Sequence, residues 1–338
     1  VEDPFPMAKY LVTGGAGFLG SNVVDALLAA GDKVVVYDDL STGSKKNVLD
    51  WNPKDVKVVE GDVRDAKALA KVAKGCDYLL HFAAVTGVAR SVADPETTLG
   101  VNVNGTINAL HAAREAKIKR VIVASSAAVY GESPVLPKEE TMLATPYSPY
   151  GASMLMGEDV ARVFYTTYRL ETVCLRFFNL YGPRQDITSE HSGVVARFIH
   201  ALLTGKTPMV YGDGKQSRDF TYVSDAVDAV RLACTAPKAE GEVFNIGSGN
   251  RITISGLLNI IGALLEREII PSYADPRPAD IRHSLAETTK AQEVLGFRPR
   301  VNIQLGLVKT LAWCRRSLGK NVKLPPPRPS SAMREATD

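Results

Sequence analysis

Thr13-Gly14-Gly15-Ala16-Gly17-Phe18-Leu19-Gly20 follows directly on the apolar run Tyr10-Leu11-Val12 and leads at once into a helical pattern that extends to Ala30. A glycine cluster between a strand and a helix is the context in which a dinucleotide pyrophosphate can approach the backbone. Gly15 and Gly17 are expected to take the tight turn, Gly14 to stand with them, and Gly20 to let the helix pack closely on the strand. The helix start at Phe18 and Leu19 offers unpaired N–H groups and the positive end of a dipole. Asp38 closes the second apolar run eighteen residues after Gly20, where a carboxylate accepts hydrogen bonds from an adenosine ribose. Asp38 and Asp39 would repel a 2′-phosphate, which favours NAD. Lys45 and Lys46 read as solvated loop charges, yet they keep NADP open. A merely structural turn would leave the acid at the end of the second strand as coincidence.

Outward from this segment, β-branched runs alternate with amphipathic stretches, the pattern of a parallel sheet with crossover helices. Strands are expected at 10–13, 33–37, 56–60, 78–82, 121–124 and 172–177, with helices at 17–30, 65–73, 95–116 and 149–168. The expected fold is a doubly wound parallel α/β (Rossmann) sheet. After Phe178 the chain turns to loops rich in Gly, Pro, Asp and Arg, with helices expected at 224–235, 255–266, 288–295 and 303–318. This reads as a smaller α/β substrate lobe. The expected division is 7–178 for the Rossmann part, with 222–247 returning to it, and 179–221 plus 248–320 for the lobe. A Pro-rich tail over 321–338 is expected to be disordered. Residues 1–6, ahead of Met7, read as a remnant of cloning.

At 338 residues, 45% hydrophobic and with a formal charge of +3, the chain can bury a large core and shows no electrostatic footprint for nucleic acid. Four separated cysteines form no CxxC pair, so neither a zinc site nor a disulfide framework is expected, and a cytoplasmic setting is the default. No apolar run reaches the roughly 20 residues that span a bilayer.

Further motifs keep order and spacing along the chain: Asp62-Val63, His81-Phe82-Ala83-Ala84, Asn102-Val103-Asn104-Gly105-Thr106, Ser125-Ser126 ahead of Val129-Tyr130-Gly131, and Tyr150-Gly-Ala-Ser-Met154. Together with the glycine segment they resemble the extended short-chain dehydrogenase family. Arg176-Phe-Phe-Asn179, the segment from Gly212 through Arg218 to Phe220, and the segment from Arg277 through Asp280 to Ser284 extend the resemblance to UDP-sugar 4-epimerases. The resemblance implies that Asp62 and Val63 flank the adenine, that Phe82, Ala83 and Ala84 line the pyrophosphate path, and that Asn102 lies near the cofactor. Ser125 and Phe177 are placed in the same cofactor set. Singly, Phe82–Ala84 read equally well as core and Asn102 as a locally bonded amide; the ordered set is what speaks for a site.

The chemistry implied is removal of a hydride from hexose C4 to NAD, rotation of the 4-keto sugar, and hydride return to the other face. Such a step needs a base at the C4 hydroxyl. The resemblance makes Tyr150 that base and Ser126 its hydrogen-bonding partner. Family members carry a lysine four residues after the tyrosine, which acidifies the phenol and holds the nicotinamide ribose. Here that position is Met154, with no charge and no donor. Either a deliberate Lys-to-Met replacement or a natural change of chemistry accounts for it, and both imply a severely slowed step.

For the nucleotide, Arg218 and Arg277 are the expected phosphate forks, with Asn179 at a phosphate or the sugar and Asp280 at the uridine ribose. Gly193, Val194 and Val195, at a helix start, offer backbone groups, and Thr86 and Tyr211 complete the substrate set. Ser284 occupies the position that is bulky in glucose-restricted family members, so a small side chain there leaves room for an acetamido group. Ala127 and Ala128 replace the Asp-Glu pair of the related 4,6-dehydratases. UDP-glucuronate epimerisation and a catalytically silent NAD- or UDP-sugar-binding protein remain as alternatives. The helices at 95–116 and 149–168 resemble those that form a homodimer interface in the family.

Overall fold

The computed structural model describes residues 7–189, 192–276 and 281–322. The expected cloning remnant, Arg277, Asp280 and the tail from 323 onward lie outside the described residues.

The first part of the chain alternates β1 (Lys9–Thr13), α1 (Phe18–Ala29), β2 (Lys33–Asp38), β3 (Val56–Glu60), α2 (Ala66–Ala73), β4 (Tyr78–His81), α3 (Val88–Ala93), α4 (Pro95–Leu99), α5 (Gly105–Glu115), β5 (Arg120–Ser126), α6 (Pro149–Tyr168) and β6 (Glu171–Phe177). There follow β7 (Leu180–Tyr181), α7 (Val194–Leu203), β8 (Met209–Tyr211), β9 (Ser217–Asp219), β10 (Thr221–Tyr222), α8 (Val223–Thr235), β11 (Val243–Ile246), β12 (Arg251–Thr253), α9 (Ile254–Leu264), β13 (Ser272–Ala274) and α10 (Ile303–Leu318).

Seven strands make one parallel sheet in the order β11-β6-β5-β4-β1-β2-β3. The chain leaves β1 toward β2 and β3, then returns to β4 on β1's other side, so the winding reverses between β1 and β4. That reversal opens a crevice at the C-terminal strand ends. Alternate strand residues feed opposite faces. Val12, Val36, Leu80 and Ile122 pack with α1 and α8, whereas Leu11, Val35, Leu79 and Val123 pack with α2, α5 and α6. A third cluster joins α7, α9 and α10 with β8 and β10.

Three features depart from the sequence-based expectation. The helix expected over 95–116 is broken into α4 and α5 by a π-type turn, Gly100–Asn104. That wider turn directs the Asn102 amide to the backbone of Val85: Val85 N–H donates to Oδ1 at 2.7 Å and Nδ2 donates to the Val85 carbonyl at 3.0 Å. The stretch expected as a helix over 288–295 is largely a second π-type turn, Ala291–Leu295. Strand β11 was absent from the expected set; it extends the sheet by pairing with β6 from Val243 opposite Cys174 to Ile246 opposite Phe177.

Two buried polar contacts lock the helices to the sheet. Arg176 on β6 meets Glu158 on α6 through Nε to Oε1 at 2.8 Å and Nη2 to Oε2 at 2.7 Å, with both side chains almost fully buried. Ser125 also donates to Glu158, and the guanidinium lies 4.8 Å from the centre of the Tyr130 ring. His81, at the end of β4, is bonded through Nδ1 to Thr13 Oγ1 (2.8 Å) and through Nε2 to Thr106 Oγ1 (3.1 Å). Burial lowers its pKa to about 4, so the folded ring stays neutral.

Glu158→Ala would strand a buried guanidinium, and urea denaturation is expected to register a loss of about 3–5 kcal/mol; a loss near zero would show that the pair contributes nothing to stability. For His81, the unfolded chain takes up its proton below about pH 6.5 while the folded chain resists until about pH 4. Unfolding is therefore favoured as pH falls through that window, by up to about 3 kcal/mol. Denaturant titrations between pH 7 and 4 should show that slope in the parent chain and its loss in His81→Gln; parallel curves would refute the assignment.

Candidate functional site

The crevice opens into a cleft of about 1420 Å³. Its walls come from the loops after β1, β2, β4 and β5, the first turns of α6, the segment after β6, and parts of β9 and α10. One end is built for a dinucleotide. Gly14 takes the positive φ of the turn (+68°), and a Cβ there would lie 2.7 Å from the Ala83 nitrogen. The turn is closed by the Gly17 N–H donating to the Gly14 carbonyl at 3.1 Å, so Gly15 and Gly17 both lie in it as expected, and an added Cβ on Gly15 would press on Val36 at 2.9 Å. A Cβ on Gly20 would strike the Gly14 carbonyl at 2.1 Å, the close helix–strand approach foreseen for it. Gly17 caps α1 with no side-chain bond to the helix's first N–H groups. Its own added Cβ would meet only the Gly14 carbonyl, at 3.1 Å, so the turn is open on its cleft side. Uncapped donors at a dipole's positive end suit a pyrophosphate.

Asp38 is buried yet lines the cleft. Its Oδ2 accepts the Ala16 N–H and its Oδ1 the Leu40 N–H, each at 2.8 Å. Each carboxylate oxygen keeps a further lone pair for a ribose hydroxyl. Burial raises its pKa, partly offset by those two backbone bonds. Gly14, Gly17, Phe18, Leu19, Gly20, Asp39, Val63, Phe82, Ala83, Ala84, Asn102, Ser125 and Phe177 share this wall. Asp62 does not: it is forked onto Arg64, with Nε and Nη2 of the arginine at 2.9 and 2.6 Å from Oδ2.

Toward the other end stand Ser126, Tyr150, Met154, Thr86, Asn179, Gly193, Arg218 and Ser284. Tyr150 lies in the first turn of α6, whose start is set by Pro149 and by Ser148 accepting the Gly151 N–H at 3.1 Å. Ser126 accepts the Ala128 N–H at 3.1 Å, which fixes its rotamer, and its hydroxyl lies close enough to the Tyr150 phenol to act on its ionisation. Burial raises the phenol's pKa and the Ser126 hydroxyl lowers it; no charged side chain among the described residues contributes. Met154, one turn along, is 7% exposed and packs with Val129, Tyr130, Phe178 and Ala286.

Arg218 and Ser284 are held by a network centred on the buried Asp219. Its carboxylate accepts N–H groups of Ser248 (2.8 Å), Gly249 (3.0 Å) and Ala286 (3.2 Å) and the Ser248 hydroxyl (2.6 Å). Ser284 N–H donates to the Ser217 carbonyl at 3.0 Å, so the strand bearing Arg218 and the segment bearing Ser284 run side by side. Asn179, at φ +21°, donates to the Asp219 carbonyl at 3.1 Å. Val194, Val195 and Tyr211 are not part of the cleft wall: Val195 is buried in the α7 core, and Arg197 lies over the Tyr211 ring at 5.4 Å. Arg277 and Asp280 lie outside the described residues. Arg90, Gln185, Trp313 and Arg316 line the cleft and were not singled out from sequence. Nothing in the last turns of an ordinary amphipathic helix marks Trp313 and Arg316 as facing a ligand.

Among the described residues no group of His, Cys, Asp and Glu could hold a metal ion, and no helix is long and apolar enough to cross a membrane.

Residues 10–247 match the model of the NAD dependent epimerase/dehydratase family. The chain is 39% identical over 310 residues to a UDP-glucose 4-epimerase of Mycolicibacterium smegmatis, covering 91% of this chain and 98% of the relative. It superposes with TM-score 0.88 and 38% identity on a UDP-N-acetylglucosamine 4-epimerase from Methanobrevibacter ruminantium, solved in complex with UDP-N-acetylmuramic acid, over 93% of this chain and 100% of that one. A Thermus thermophilus UDP-glucose 4-epimerase in complex with NAD gives TM-score 0.82 at 36% identity, over 91% and 99% of the two chains. With the glycine turn, the uncapped helix and Asp38 fitting that cofactor, the chain belongs to the NAD dependent epimerase/dehydratase family.

Proposed function

We propose that this chain binds NAD and a UDP-hexose or UDP-N-acetylhexosamine, and that it performs C4 epimerisation of that sugar with a hydride step slowed by Met154. The observation that carries the reading is the Tyr150–Ser126 pair inside a cleft whose other end fits a dinucleotide. When bound, NAD supplies the hydride acceptor that oxidation at C4 requires.

The chain's own residues handle the proton. Tyr150 removes it from the C4 hydroxyl, and Ser126, its rotamer fixed by the Ala128 N–H, holds that hydroxyl against the phenol. The burial that excludes water here also makes the phenolate costly, since it raises the phenol's pKa. A cation four residues along the helix would lower that cost. At position 154 the helix instead presents a thioether set in an apolar cluster. Arg218 and Asn179 would receive the nucleotide, with Gly193 beside them. Ser284, small and lodged on the cleft wall, leaves volume for a 2-acetamido group, which favours UDP-N-acetylhexosamines over UDP-hexoses. The M. ruminantium epimerase, named for an N-acetylated substrate, supports that preference.

Met154→Lys is expected to raise the rate of C4 epimerisation of UDP-GlcNAc or UDP-glucose by about 100-fold or more. Scoring the C4 epimer chromatographically checks it. If binding of the UDP-sugar is equal in both forms and neither turns over, the silent binding-protein reading replaces this one.

A further inference from the structure

One face of α1 carries an arrangement that the catalytic reading does not use. Phe18, Ser21, Asn22 and Asp25 lie along one side of this helix, at helical spacings. Asp25 Oδ1 accepts the Trp51 indole N–H at 2.7 Å, while its Oδ2 faces Arg184 Nη2 at 2.7 Å. Arg184 Nη1 donates to the Ser21 carbonyl at 3.0 Å. Asn22 Nδ2 donates to the Pro183 carbonyl at 3.2 Å and to the Phe18 carbonyl at 2.8 Å.

Three segments therefore meet at one carboxylate, and each reaches the cleft. Trp51 ends the loop after β2, in which Ser41, Lys46 and Asp50 line the cleft near Asp38. Arg184 begins the segment that lines the cleft through Gln185 and Ile187 and leads to Gly193. Asp25 itself sits on the helix whose first turn faces the dinucleotide end. Arg184 has φ +70°, a backbone region that a non-glycine residue rarely adopts. Its side-chain bonds to α1 hold it there. Loss of Asp25 would free the strained backbone to relax and the two loops to move apart.

We propose that Asp25 is a positioning residue that couples the two ligand-facing loops, so that occupation of the nucleotide-sugar end tightens retention of NAD. A ligand seated against Gln185 and Ile187 holds Arg184 on Asp25; Asp25, held at Trp51 as well, then resists opening of the loop over the adenosine end. Coupling through a shared contact of this kind is reciprocal and is commonly fivefold or more. The inference rests on the proposed assignment of the two cleft ends to NAD and to the UDP-sugar.

The test uses the NAD-loaded chain and UDP, which lacks the sugar that would stand against the nicotinamide. Release of bound NAD is followed by exchange against labelled NAD in excess, with and without saturating UDP. The parent chain is expected to release NAD at least about fivefold more slowly with UDP. In Asp25→Asn and in Arg184→Gln the ratio should fall to near one, although calorimetry still detects UDP binding. An unchanged ratio in either variant, or no slowing in the parent chain despite bound UDP, overturns the coupling. Failure of UDP to bind the loaded parent chain would instead strike the functional assignment itself.

Discussion

Backbone meets backbone where β1 passes into α1, with no space for a side chain. Gly14 stands against Phe82 and Ala83 at the end of β4, and Gly20 stands against the Gly14 carbonyl. Larger residues would drive β1 from β4, or α1 from the sheet. Because the sheet's winding reverses at that same pair of strands, the contact determines how closely the crevice walls approach. It also turns the uncapped start of α1 toward the cleft. His81, bonded to both Thr13 and Thr106, seals the floor beneath it with a neutral ring.

Helix α6 brings the second half of the account together. Tyr150, Met154 and Glu158 succeed one another at one-turn spacing and so share a face. Glu158 is satisfied by Arg176 and Ser125, deep in the structure, and that pairing anchors the helix and the end of β5 that carries Ser126. The charge on Arg176 is thereby committed to Glu158, and it does not bear on the phenol. Between them Met154 fills its space with apolar contacts. Packing accommodates the thioether.

The parallel sheet was legible because its central strands are buried on both faces and read as short apolar runs, and the glycine segment because steric demands leave few alternatives to glycine there. The positive φ of that turn falls on Gly14, its first residue, a detail that spacing does not carry. The break in the 95–116 helix was hidden because its cause, the Asn102 clamp on Val85, joins residues from different elements. The cleft wall that carries Asn179, Arg218 and Ser284 could be anticipated only through motif resemblance, since it is assembled by the Asp219 network and not by local pattern. Asp62 is a motif residue whose side chain pairs with Arg64, two positions away in sequence, a contact that the motif itself does not announce. Asp25 and Arg184 carry no motif at all; only the fold brings them within hydrogen-bonding distance.

Under the proposed function, the cleft lacks only a protein cation beside the phenol. The most direct measurement is the pH dependence of C4 epimerisation by the NAD-loaded chain, followed from pH 7 to 10 with saturating UDP-GlcNAc. Burial pushes the Tyr150 phenol above its ordinary value of about 10, and no protein cation offsets that, which leaves the nicotinamide charge as the only charge that aids its ionisation. The rate is therefore expected to climb about tenfold per pH unit with no plateau across that range. A rate already level at pH 7 would mean that Tyr150 ionises without help at position 154, and would contradict the account.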